Sequence, residues 1–188
     1  MNAKGDENRS EQLTKRRLSA ALAELMLQKP VPQITVRELT QKAGVSRGTF
    51  YFHYEDIYAL LTQLENGYLA HLRGMARELS ANLSQQETPA ALAAIFCYLD
   101  ENDALSRALC GPNGRPAFLG EIKNLVSDWY DGALRITAPP SQREYLRIFA
   151  FEGFMGVVRA WWLHTPREQP EVIAKTVWHA IGALQAPR

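Results

Sequence analysis

Apolar residues in this chain recur at helical spacing, and no segment shows the strict alternation of a strand, so the pattern predicts helices from end to end. Leu18, Ala21, Leu22, Leu25 and Met26 form one stripe in a helix from about Ser10 to Lys29, which Pro30 and Pro32 end. Residues 1–8 are expected to be disordered. Val36, Leu39 and Ala43 mark one face of a short second helix, and a third begins after Ser46. From Glu55-Asp56 a long helix runs to about Leu83, with Ile57, Leu60, Leu61, Leu64, Tyr68, Leu72 and Leu79 at apolar positions. Ser84–Glu87 is a polar break, and Thr88-Pro89 supplies a cap with proline at the first helical position. The next helix reaches about Leu99. Asp100–Asp103 interrupts it before a short helix at about Ala104–Cys110, and Gly111-Pro112-Asn113-Gly114 is a strong turn signal. Three further helices are expected at about 116–136, 142–164 and 168–184, separated at Pro139-Pro140 and Thr165-Pro166. No internal repeat or low-complexity tract interrupts the series. The fold class is all-α.

The segment from Thr35 to Tyr54 is the most informative. Thr35 is a good N-cap, and Glu38 three residues later completes a capping-box pattern. Gly44 supplies the positive φ that a tight turn between helices needs. Val45 would plug the angle between the helices, and Ser46 is again a preferred N-cap. This is the pattern of a helix-turn-helix, whose second helix is expected to lie in a DNA major groove.

The run Ala43-Gly44-Val45-Ser46-Arg47-Gly48-Thr49-Phe50-Tyr51-Phe52-His53-Tyr54 closely resembles the signature of the TetR family of bacterial transcriptional regulators. The likeness is specific over roughly residues 10–62 and looser beyond. The Leu109–Gly114 turn, Phe118-Leu119 and the run from Gly156 to Trp162 resemble one C-terminal subclass of that family. The resemblance implies an N-terminal three-helix DNA-binding domain, drawn at residues 9–56. A larger helical domain at 57–188 would dimerise and bind a small effector. It further implies a homodimeric repressor that leaves a palindromic operator when an apolar or aromatic effector binds. A ligand-independent or activating regulator is the alternative, as is a helical interaction module without DNA binding.

Charge supports the first reading locally rather than globally. The 188-residue chain has a net charge of only +1. Between Arg9 and His53, however, eight basic residues (Arg9, Lys15, Arg16, Arg17, Lys29, Arg37, Lys42 and Arg47) face three acids (Glu11, Glu24 and Glu38). A basic face on a near-neutral protein suits DNA.

Arg47 directly follows the Ser46 cap, and Arg37 lies in the first turn of the preceding helix; both are candidates for bidentate base readout. Gly48 allows close approach to the groove. Thr35 and Ser46 place hydroxyls and helix-start N–H groups where phosphates could sit. Thr49, Tyr51 and His53 match positions that contact backbone or bases in the family. Phe52 stands where the family is often polar, and its ring could cover a thymine methyl or pack on the sugar–phosphate backbone. Phe50 and Tyr54 match core positions.

Where family members often carry lysines, this chain has Glu55 and Ile57. Fewer phosphate contacts are therefore expected, unless Lys15, Arg16 and Arg17 reach the backbone instead. Their signature is a shallower salt dependence of binding than in a lysine-bearing relative. A titration with a steep slope would place the backbone grip elsewhere.

In the C-terminal part, Ile173, Val177, Ala180, Ile181 and Leu184 form a stripe. Gly153, Gly156 and Ala160 form a small-residue track, flanked by Phe149, Val157, Trp161 and Trp162. Together they suit a four-helix dimer interface. Tyr68, Phe96, Tyr98, Phe118, Trp129 and Phe151 are the candidate lining of an effector cavity, with Leu99, Tyr130 and Phe154 beside them.

The remaining signals are exclusions. Cys97 and Cys110 lack metal spacing and read as buried free thiols. The four histidines are scattered, and His71 has no carboxylate three or four residues away to orient it. There is no Walker-type loop, Gly-x-Ser-x-Gly elbow or paired-cysteine pattern. No enzyme, metal or cofactor is expected. The polar N-terminus lacks a signal-peptide core and nothing is long enough to span a bilayer, so no membrane association and a cytoplasmic location are expected.

Overall fold

The computed structural model describes residues 3–81, 88–133 and 139–182. Nine α-helices and no strand occur among these described residues: α1 (Ala3–Met26), α2 (Val36–Ala43), α3 (Arg47–His53), α4 (Ile57–Ala81), α5 (Thr88–Glu101), α6 (Asp103–Cys110), α7 (Pro116–Ala133), α8 (Pro140–Leu163) and α9 (Pro170–Gly182). A short 3₁₀ turn, Val31–Gln33, follows α1. The expected disorder at residues 1–8 is corrected from Ala3 onward, because the chain is already helical there. No proline occurs before Pro30, so nothing in the backbone chemistry stops the helix from starting there.

The helices gather into two compact units, Met1–Tyr68 with Asp103–Leu119, and Leu69–Asn102 with Gly120–Arg188. These packing units do not follow a single cut between residues 56 and 57. In the first, α2 and α6 both pack on α1, and α2 packs on α3. Its core includes Leu18, Leu22, Leu39, Phe50, Leu60, Leu61 and Leu109, all without solvent exposure. The start of α4 and the whole of α6 therefore belong with the helix-turn-helix.

Polar ties reinforce this unit. Asn113 donates from its side-chain amide to the Met26 carbonyl at the end of α1 (2.8 Å). The Tyr68 hydroxyl donates to Ser106 Oγ (2.8 Å) in a buried hydrogen bond. Arg115 grips Glu65 through one edge of its guanidinium, with Nε donating to Oε1 at 2.9 Å and Nη2 to Oε2. The Glu65 side chain is only 6% exposed, so this pair brings a cation to a carboxylate that water hardly reaches.

In the second unit α5 lies along α9, and α8 also packs on α9. Trp161 stands edge-on to Phe96 (5.4 Å, 89°), and Phe154 tilts against the same ring (5.8 Å). Trp161 Nε1 donates to the Glu168 carbonyl (2.8 Å) just past the end of α8. Trp161 and Trp162 are buried within their own chain. That corrects their expected place as flanking bulk of a dimer interface.

Candidate nucleic-acid interface

Local hydrogen bonds fix the angle between α2 and α3. Thr35 Oγ1 accepts from the Glu38 amide (3.2 Å) and starts α2. The Glu38 carboxylate sits below its usual pKa, chiefly because Lys29 Nζ bonds it at 2.6 Å, with a smaller part from the Thr35 backbone N–H. The N-cap half of the capping box is thus present, and the Glu38 carboxylate is held by Lys29. At the other end Gly44 adopts φ 65° and ψ 37°, a left-handed conformation that carries little strain only without a Cβ. The Gly44 amide donates to the Gln41 carbonyl (3.3 Å) and the Val45 amide to that of Thr40 (3.1 Å), closing α2 in a Schellman-type turn. Ser46 Oγ then accepts from the Thr49 amide (2.9 Å) and starts α3.

Burial separates the faces of α3. Phe50 has no exposure and Tyr54 only 4%, so these two anchor the helix as expected. Arg47 and Gly48 are exposed, Tyr51 is 53% exposed and Phe52 82%. Thr35, Arg37 and Ser46 are exposed as well, and Thr49 is half-buried with its hydroxyl 2.8 Å from that of Ser46. His53 is different. Its side chain is 6% exposed and lies 4.0 Å from Glu11 of α1, so among the predicted contacts it faces inward.

Charge on this surface is sorted by residue type. Lys15 pairs with Glu11, Lys29 with Glu38 and Lys42 with Glu24, each at 2.6 Å. The three lysines thereby neutralise the three acids, and the last two pairs tie α2 to α1 and to the segment after it. Lys29 and Lys42 are committed to these internal pairs. Five exposed arginines remain: Arg9, Arg16, Arg17, Arg37 and Arg47. Among the described residues no acid pairs with any of them. An unpaired guanidinium held at a surface is suited to phosphate and to the O6/N7 edge of guanine.

The departures at Glu55 and Ile57 have structural reasons. Asp56 Oδ1 caps α4 by accepting from the Ala59 amide (2.7 Å), and Ile57 is buried at 7% exposure. Glu55 is exposed beside that cap.

Of the six residues predicted to line an effector cavity, Tyr68 and Phe118 belong to the first unit and the other four to the second. In the first unit, Tyr68 and Phe118 are buried and meet edge to face at 6.1 Å. In the second, Phe96 packs on Phe154 and Trp161, and Phe151 is buried. Tyr98 instead stacks on the exposed His71 ring (4.2 Å, 21°), which gives that histidine an aromatic partner. The Trp129 side chain lies outside the described residues, as do those of Tyr130, Ile181 and Leu184. A groove of about 170 Å³ opens between α8 and α9, lined by Phe149, Ala150, Gly153, Phe154, Val157, Val177 and Ala180. It contains five members of the expected dimer surface (Phe149, Gly153, Val157, Val177 and Ala180) and none of the six effector candidates.

Cys110 is buried and its thiol is pushed up to about 12 by loss of solvent, so it is unreactive; Cys97 is only half-buried. No cluster of metal-binding side chains occurs among the described residues. No helix among them is long and apolar enough to cross a membrane.

Comparison with known proteins gives two family matches. Residues 18–64 match the family model described as bacterial regulatory proteins, tetR family, and residues 86–181 match that of a transcriptional regulator C-terminal region. A search of curated proteins gives no match. Among solved structures, a TetR transcriptional regulator from Streptococcus agalactiae is similar at 23% identity, covering 95% of this chain and 98% of its own, with a TM-score of 0.67. The fatty acid degradation regulator FadR from Bacillus halodurans is similar at 14% identity over 93% and 97%, with a TM-score of 0.70. The dihydroxyacetone kinase operon activator DhaS is similar at 18% identity over 92% and 96%, with a TM-score of 0.56. At these identities the likeness is one of fold.

Proposed function

The chain belongs to the TetR family of bacterial transcriptional regulators, and on that footing we propose that it is a homodimeric, cytoplasmic repressor that binds a palindromic operator through α3. The observation that carries the reading is the capped α2–Gly44–α3 unit with unpaired, exposed Arg37 and Arg47 beside it. In this reading residues 9–56 read DNA and 57–188 dimerise and respond to ligand. Arg37 and Arg47 read bases. Thr35, Ser46, Thr49 and Tyr51 hold the backbone. The buried His53 ring supports the helix, and it touches DNA only where its edge emerges beside Phe52.

The groove between α8 and α9 supports two-fold pairing, because its apolar lining is continuous with the exposed Phe149. Pairing sets the distance between two recognition helices, and an effector releases DNA by favouring a different separation. That effector is a small apolar or aromatic molecule. One specific observation favours a second reading, in which the regulator works without ligand or activates: most of the described aromatic candidates are committed to packing inside one unit or the other. The fold-level likeness to an operon activator points the same way.

The test is selection of bound sequences from random duplex DNA by the purified protein. An enriched palindrome is expected. Failure to enrich at low salt would leave the interaction-module reading in its place. With the operator in hand, Arg47→Ala is expected to weaken binding by roughly 1–3 kcal/mol per half-site and to relax preference at one base pair. A uniform loss across all duplexes would make Arg47 a phosphate contact instead.

A further inference from the structure

Two features of α3 serve no purpose in the fold. Phe52 is 82% exposed, more than any other large hydrophobic side chain among the described residues. The burial that anchors α3 is supplied by Phe50 and Tyr54, so the Phe52 ring adds nothing to the core. Gly48 is the second residue of the same helix, and glycine has a lower helix propensity than alanine. Its φ is not positive, and a Cβ placed there would meet only Ser46 Oγ, at an ordinary 3.6 Å. Neither backbone geometry nor crowding inside the protein requires a glycine.

The two positions belong together. At about 100° per residue, Gly48 and Phe52 each fall within about 20° of the point opposite Phe50. They are four residues apart, and a helical side chain leans toward the N-terminus over the turn before it. The Phe52 ring and the bare turn at Gly48 therefore share the outer line of α3. The ring is also steadied: it stands edge to face with His53 (5.0 Å, 81°), whose own side chain is nearly buried. An exposed phenyl ring beside an uncovered stretch of helix makes an apolar shelf at the outermost line of α3. Exposed Arg47 and Tyr51 are its neighbours on the helix.

A phenyl ring neither donates nor accepts a conventional hydrogen bond, so it cannot read the polar pattern of a base pair. The major-groove floor presents one apolar group, the C5-methyl of thymine. Resting on the assignment of α3 to the major groove, we infer that the Phe52 ring, beside Gly48 on the outer line of the helix, receives a thymine methyl and favours thymine at one position of each half-site. The bare turn lets the helix come close enough for that contact, and the arginines supply the phosphate attraction that holds it there.

The test uses the operator recovered by selection, so a failure to recover one counts against DNA binding itself and leaves the methyl contact a separate question. Each thymidine of one half-site is replaced in turn by deoxyuridine, which removes only the methyl group, and affinity is read by fluorescence anisotropy. One position is expected to lose about fourfold, the worth of one buried methyl group. Phe52→Ala is expected to bind the parent duplex more weakly and to abolish that difference. Gly48→Ala is expected to reduce it, by holding the helix away, with an unchanged circular dichroism spectrum. Indifference of the wild-type protein to every deoxyuridine would overturn the inference and put the ring against sugar and phosphate. A methyl effect that persists in Phe52→Ala would also overturn it and assign the contact to another side chain.

Discussion

Arg115→Met is expected to destabilise the protein by about 2–3 kcal/mol, seen as a lower midpoint in urea or heat. The reason lies at the far end of the pair rather than at the substituted residue. Glu65 is 6% exposed on its side chain, and its two oxygens are each held by the Arg115 guanidinium. Without that cation a nearly dry carboxylate is left without its charged partner. Breaking such a pair from one side costs about 3–5 kcal/mol when both partners are buried. Arg115 is 40% exposed, so water can partly replace it, and the lower figure applies. Changing both residues, Glu65→Gln with Arg115→Met, is expected to recover most of the loss, because a neutral amide is far less costly to bury than a charge. If the single and double variants melt together below wild type, the loss arises from packing of the arginine stem and the electrostatic account is wrong.

That ion pair also marks where a sequence reading stops. The capped helix-turn-helix was legible because its determinants are local. Thr35 to Glu38, Ser46 to Thr49 and the Gly44 turn each act over three or four residues. The burial of Phe50 and Tyr54 was legible through the motif. By contrast, Gly111–Gly114 announced a turn but not its purpose. Asn113 reaches the end of α1 across 87 positions and Arg115 reaches Glu65 across 50. No spacing rule encodes a contact of that range. The grouping of α6 with the DNA-binding helices was missed for the same reason.

Charge counting had a similar limit. It found the surplus of basic residues between Arg9 and His53 but could not show that the lysines neutralise the glutamates while the arginines stay unpaired. His53 was placed on the readout face by its motif position. Its burial depends on Glu11 and the packing of α1, which the motif does not contain. In α8 the difficulty was of another kind. Ile148, Phe149, Phe151, Phe154, Val157, Trp161 and Leu163 surround the helix on nearly every side, so periodicity could not separate the face that fills the chain's own core from the one left exposed.

Trp161→Ala separates those faces by experiment, and it is expected to destabilise the second unit by about 3–5 kcal/mol. Trp161 is 2% exposed and packs edge-on against Phe96, and its removal opens a cavity that rigid neighbours on α5 cannot fill. The Glu168 carbonyl loses its indole donor, and the Arg167 guanidinium, 5.5 Å above the ring, loses its aromatic partner. Trp161→Phe keeps most of the volume but not the N–H, so its expected loss is nearer 1 kcal/mol. Phe149→Ala, on the same helix, should behave in the opposite way. That ring is 61% exposed, and its truncation is expected to change the monomer's stability by no more than about 0.5 kcal/mol while weakening self-association. Because association itself raises apparent stability, the two variants must be compared across protein concentrations. The Trp161→Ala loss should persist at every dilution, whereas any Phe149→Ala deficit should vanish once both proteins are monomeric. A concentration-dependent Trp161→Ala loss would return that residue to the subunit interface, and a concentration-independent Phe149→Ala loss would remove Phe149 from it.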